Sequence, residues 1–166
     1  MVRVILIPVF LILLYLDFPY NRYIAMGVFI IAALTDIADG QIARSRNLVT
    51  DFGKFMDPLA DKVLVFAAML WFVEQGVMPA WAVLIVIVRE FMVTALRLIA
   101  VGSGRVIAAE LSGKVKTVVT ILCLIVMFLP LEQWMIYVCV GLITVTTLFS
   151  GVEYFIKNRD LMKLDK

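Results

Sequence analysis

The chain has 166 residues, 64% of them hydrophobic, with 15 basic residues against 13 acidic ones and a mean hydropathy of +1.06. An ordinary soluble domain is roughly 45–50% apolar, so this composition indicates one integral membrane domain over residues 1–166 and leaves no room for a second. There is no histidine, and Cys123 and Cys139 lie in separate apolar runs, which argues against a zinc site. No nucleic-acid partner is expected.

Six apolar runs follow one another along the chain, at about 2–16, 23–43, 57–73, 80–101, 111–129 and 134–155. Each approaches the roughly 20 residues needed to span a bilayer as a helix. The interruptions carry turn chemistry: Asp17-Phe18-Pro19-Tyr20-Asn21, Glu74-Gln75-Gly76 with Pro79, Gly102-Ser103-Gly104, and Pro130. Met1 leads straight into Val2-Arg3-Val4-Ile5 without a small-residue cleavage site, so no signal peptide is expected. The pattern predicts an all-α polytopic membrane protein with six transmembrane helices. No internal repeat is evident, which weighs against an inverted-repeat transporter.

Basic residues are distributed unevenly over this six-span order. Arg3, Arg44, Arg46, Lys54, Arg97, Arg105, Lys114, Lys116, Lys157, Arg159, Lys163 and Lys166 fall on one side, and Arg22 alone on the other. By the positive-inside rule, both termini face the cytoplasm in a cell membrane. Trp71, Trp81 and Trp134 sit near predicted span ends on the outer side, as an aromatic belt would place them.

Four carboxylates stand out against this apolar background: Asp36-x-x-Asp39-Gly40-x-x-Ala43-Arg44, eight residues, then Gly53-x-x-x-Asp57-x-x-x-Asp61. Helical periodicity puts Asp36, Asp39, Gly40 and Ala43 on one stripe, and Gly53, Asp57 and Asp61 on another. Acidic residues at membrane depth are costly and mark a functional site. Four carboxylates brought close together repel unless cations lie between them. An all-oxygen ligand set suits hard divalent ions, and four aspartates can hold two of them. The small residues Gly40, Ala43 and Gly53 leave room for a phosphate or nucleotide, and Arg44 offers it a planar fork. Asp36 and Asp39 have an alternative role as partners of Arg44 and Arg46, and Gly40 and Ala43 as close-packing positions. Asp51 reads as a helix start, Lys62 as an interfacial anchor.

The complete pattern, with every fixed position at the expected spacing, resembles the signature of the CDP-alcohol phosphatidyltransferases. Gly53-Lys-Phe-Met-Asp-Pro-Leu-Ala-Asp-Lys62, Arg89-Glu-Phe-Met-Val-Thr-Ala-Leu-Arg97, Gly113-Lys-Val-Lys-Thr117 and Ser150-Gly-Val-Glu-Tyr-Phe155 resemble the phosphatidylglycerophosphate synthase branch. The resemblance implies a six-helix membrane fold, a homodimer, and a site open to the cytoplasm. It implies transfer of a phosphatidyl group from CDP-diacylglycerol to glycerol 3-phosphate, with release of CMP. Carried over, Asp36, Asp39, Asp57 and Asp61 would ligate two Mg²⁺ or Mn²⁺ ions, with Asp61 also the general base. Asp39, Gly40, Ala43, Arg44, Thr50 and Gly53 would contact CDP-diacylglycerol. Family members carry an Asn-x-Pro-Asn-like interfacial segment before the equivalent of Arg3; this chain opens at Met1-Val2-Arg3, so that segment is expected to be missing.

A dianionic acceptor requires a cationic pocket, for which Arg89, Arg97, Arg105, Lys114 and Lys116 are the candidates. Arg89 falls near mid-span, where orientation bias does not account for it. Spacing puts Glu90 out of reach of Arg89, because adjacent helical residues diverge, whereas Glu90, Thr94 and Arg97 share a polar stripe. Arg105 and Lys116 have an alternative as membrane-surface charges, and Glu153 as an i,i+4 partner of Lys157. Two other functions fit less well: a sibling enzyme using inositol phosphate or serine, and a cation transporter, whose ion path would need polar groups continuing to the outer side.

Overall fold

The computed structural model describes the backbone of residues 2–16, 18–46, 51–102 and 110–159, and the side chains of residues 6–16, 18–35, 62–102 and 110–159. Six α-helices follow in order: α1 Val2–Tyr15, α2 Asn21–Arg46, α3 Asp51–Glu74, α4 Ala80–Gly102, α5 Leu111–Met127 and α6 Gln133–Lys157. Most of their limits fall at the turn residues that the sequence marks, but α2 runs on past residue 43 to Arg46, and α3 begins six residues before the apolar run at 57–73. Tyr20, at φ 68°, closes the α1–α2 turn, and Gly76, at φ +69°, supplies the left-handed residue after α3. The helix α3 starts at Asp51, as the sequence indicates.

The chain divides into two compact units. The first comprises residues 1–75 with 124–130, and the second residues 76–123 with 131–166. In the first, α1 packs against α2 and α3, and α2 touches α3. Its centre is aromatic. Phe10, Phe29, Phe72 and Phe128 are fully buried. Phe128 meets Phe72 at 4.8 Å, stacks on Trp71 at 5.8 Å, and takes the edge of Phe10 at 6.2 Å between ring centroids. Such pairs contribute about 0.5–1.5 kcal/mol each beyond area burial. Ala25, Ala32 and Ala68 are fully buried, and their small size suits close helix approach.

Arg22 ties this unit at one end. Its Nη2 donates to the carbonyl oxygens of Met127 at 2.5 Å and Leu129 at 3.5 Å, and its guanidinium lies 6.0 Å from the Trp71 ring. The carbonyls at the end of α5 have no intrahelical donors, so the cation satisfies them and complements the helix dipole. Across the same unit, the Tyr15 hydroxyl donates to Glu74 Oε2 at 2.5 Å.

The second unit is built on α4 packed against α6. Val93, Leu96 and Tyr154 form its apolar core with Phe155 against them. Its interior also holds polar groups: Lys116, Thr120, Thr144, Thr147 and Ser150 are buried. Its exterior is apolar, with Leu84, Leu98, Phe149 and Val152 exposed. So many large apolar side chains on the outside depart from a water-soluble packing. Among the described residues, one helix, α6, is long and apolar enough to cross a membrane.

Candidate functional site

The acidic signature is carried by two helices of the first unit that touch each other. Asp36, Asp39, Gly40, Ala43 and Arg44 occupy the second half of α2, and Gly53, Asp57 and Asp61 the first half of α3. Continuous helix on both sides is what the i, i+3, i+4, i+7 spacing requires for one stripe on each. The side chains of these residues lie outside the described part of the structure, as do Thr50 and Arg105 altogether.

The basic candidates separate. Arg89 on α4 and Lys116 on α5 come together at one carboxylate. Arg89 Nη1 donates to Glu90 Oε1 at 2.9 Å, and Lys116 Nζ donates to the same oxygen at 2.6 Å. The side chains of Arg89, Glu90 and Lys116 are only 12%, 15% and 6% exposed. Among the described residues, two cations thus share one carboxylate oxygen in a largely dehydrated place. Arg89 Nε is buried with no hydrogen-bond partner among the described residues. A buried donor left open costs about 1–3 kcal/mol and calls for an explanation such as an anionic ligand.

Two sequence expectations are corrected here. Glu90 does reach Arg89, although adjacent side chains leave a helix in different directions. The arginine stem is long enough for its fork to turn back to the neighbouring carboxylate, and Lys116 holds that carboxylate from α5. Lys116 is also no membrane-surface charge: it is buried. Helical spacing describes where Cα–Cβ bonds point, not how far a long side chain travels.

The other candidates lie elsewhere. Arg97 is exposed along much of its length; its Nε donates to the Tyr154 hydroxyl at 3.2 Å, and its guanidinium sits 5.7 Å from that ring. Thr94 Oγ1 donates to the backbone oxygen of Glu90 at 2.7 Å, so the polar stripe Glu90–Thr94–Arg97 is partly spent on the helix itself. Lys114 is exposed. Glu153 pairs with Lys157 at 2.7 Å as expected, and Lys157 also reaches Glu110 at 2.9 Å. Glu90 is the residue that spacing alone dismisses, although an acid at mid-span is itself a signal.

The model of the family described as CDP-alcohol phosphatidyltransferase matches residues 1–149. The chain belongs to the CDP-alcohol phosphatidyltransferase family. A CDP-diacylglycerol–glycerol-3-phosphate 3-phosphatidyltransferase of Bacillus subtilis is 41% identical over 97% of this chain and 93% of its own length. A protein of the same name from Shigella flexneri is 37% identical over 92% of this chain and 87% of its own. A probable phosphatidylglycerophosphate synthase of Mycobacterium tuberculosis is 34% identical over 93% and 76%. The family is membrane-bound and generally uses divalent metal ions. Membership makes this chain a transferase of phospholipid biosynthesis.

Proposed function

We propose that this family member transfers the phosphatidyl group of CDP-diacylglycerol to the primary hydroxyl of glycerol 3-phosphate, giving phosphatidylglycerol phosphate and CMP. The observation that carries the reading is near-full-length similarity to relatives bearing that activity in their names. The buried Arg89–Glu90–Lys116 cluster, which brings two cations to one place, supports it, because the acceptor differs from other alcohols by its phosphate.

Asp36, Asp39, Asp57 and Asp61 would hold two Mg²⁺ or Mn²⁺ ions. The donor set fits: carboxylates suit these hard cations, and the four residues stand on two helices in contact. Bound there, the ions would neutralise the pyrophosphate and make its phosphorus more electrophilic. Arg44 and Thr50, beside Gly40, Ala43 and Gly53, would hold the CDP head group. Asp61 would take the proton as the hydroxyl oxygen bonds to phosphorus and the bond to CMP breaks. Arg89 and Lys116 would hold the acceptor phosphate, with Arg97, Arg105 and Lys114 supplying further positive charge.

A panel of alcohols scored by CMP release tests the acceptor. A charge-assisted contact is worth roughly 1.5–3 kcal/mol, so glycerol 3-phosphate should outperform glycerol by about one to two orders of magnitude in kcat/KM. Glycerol, serine or inositol phosphate competing on equal terms would overturn the assignment.

In the cell this chain would form six spans in the cytoplasmic membrane, as a homodimer, with both termini and the site facing the cytoplasm. The distribution of loop charge and the apolar exterior support this. A cysteine at Asn47 should react with an impermeant thiol reagent only from the cytoplasmic side, and one at Gln75 only from outside. The reverse pattern would invert the topology and deny the site its soluble acceptor.

A further inference from the structure

Arg89 crosses the second unit between two glycines. A methyl group placed on Gly151 of α6 would lie 3.2 Å from Arg89 Cγ, and one on Gly113 of α5 would lie 3.5 Å from Arg89 Nη2. Gly141, ten residues before Gly151 on α6, faces open space, with nothing within 4 Å. The sites thus differ in their surroundings although they share a helix. Unstrained carbon–carbon contact begins at about 3.5 Å, so Gly113 is compatible with a methyl group, whereas one on Gly151 would require the arginine stem to give by a few tenths of an ångström.

We infer that Gly151 is a positioning residue for Arg89: the absent side chain on α6 is the space through which the arginine stem reaches the Glu90–Lys116 cluster. The stem is held at both ends. Its Cα belongs to α4, and its Nη1 is bonded to Glu90 Oε1, which Lys116 also holds. A stem fixed at one end only would swing aside from an added methyl. Fixed at both, it has little slack for that movement, and a shift of the stem carries over to the cation that is to meet the acceptor phosphate. The inference rests on the proposed role of Arg89 toward that phosphate.

The test compares Gly151→Ala, Gly141→Ala, Arg89→Ala and the double variant Arg89→Ala/Gly151→Ala of the full chain, measuring KM for glycerol 3-phosphate, KM for CDP-diacylglycerol, kcat and melting temperature. Gly151→Ala should raise the glycerol 3-phosphate KM about tenfold, as expected for one weakened charge-assisted contact, and leave the CDP-diacylglycerol KM within about twofold. Gly141→Ala should match the wild type. In the Arg89→Ala background no stem remains to displace, so adding Gly151→Ala should change neither KM nor melting temperature, a non-additivity that marks direct coupling. If Gly151→Ala fails to fold alone but folds in that background, the coupling is equally demonstrated. Additive effects, or a double variant that also fails to fold, would overturn the inference, as would Gly151→Ala matching Gly141→Ala while Arg89→Ala raises the acceptor KM. Arg89→Ala leaving the acceptor KM unchanged would instead remove the reading on which the inference stands.

Discussion

Asp61→Asn is expected to abolish turnover while CDP-diacylglycerol binding survives better than in Asp57→Asn. Asparagine keeps the shape of the side chain but cannot accept the hydroxyl proton, and general-base catalysis is worth typically about 10²–10⁴ in rate. Loss of a negative charge among four carboxylates also weakens metal affinity, which adds to the deficit. Asp57 would carry the ligand role without the proton transfer, so Asp57→Asn should lose ion and nucleotide together. CMP release and binding of labelled CDP-diacylglycerol, measured on both variants, separate these effects. Near-normal turnover by Asp61→Asn would remove it from the base role.

Chelation is expected to have an effect of similar size. EDTA should reduce CMP release to background, and Mg²⁺ or Mn²⁺ should restore it. The physical ground is that four aspartates gathered in one site at membrane depth would repel one another and the substrate pyrophosphate alike unless cations intervened. Stability gives a second readout that does not depend on turnover. A ligand that binds only the folded protein contributes about 2.7 kcal/mol at 100 times its dissociation constant. Mg²⁺ should therefore raise the melting temperature of the wild type, and much less that of Asp57→Asn. Full activity in metal-free buffer would end the two-ion proposal.

The acidic signature was open to inspection in the sequence because its logic is local. Residues at i, i+3, i+4 and i+7 share a helix face whatever the helix packs against, and the helical runs of α2 and α3 contain all of Asp36, Asp39, Asp57 and Asp61. Among the acceptor candidates the sequence marked out Arg89 by its mid-span position and left the others as a set of cations. Nothing in the spacing separates Lys116 from Lys114 or joins it to Arg89, because that is decided by contacts between helices far apart in the chain. Glu90 and Lys116 are 26 positions apart, and Arg97 and Tyr154 are 57 apart.

By itself the sequence determined the membrane-type composition, the order of the six described helices with most of their ends, and the two acidic stripes, since hydropathy, turn residues and helical period act within a few residues of one another. Tertiary structure alone decided that Glu90 gathers Arg89 and Lys116, that Lys116 is buried, that Phe128 joins Phe10, Phe29 and Phe72, and that Gly151 rather than Gly141 meets an arginine stem. These outcomes depend on the rotation of each helix about its axis and on the reach of long side chains, and packing against the neighbouring helices sets both.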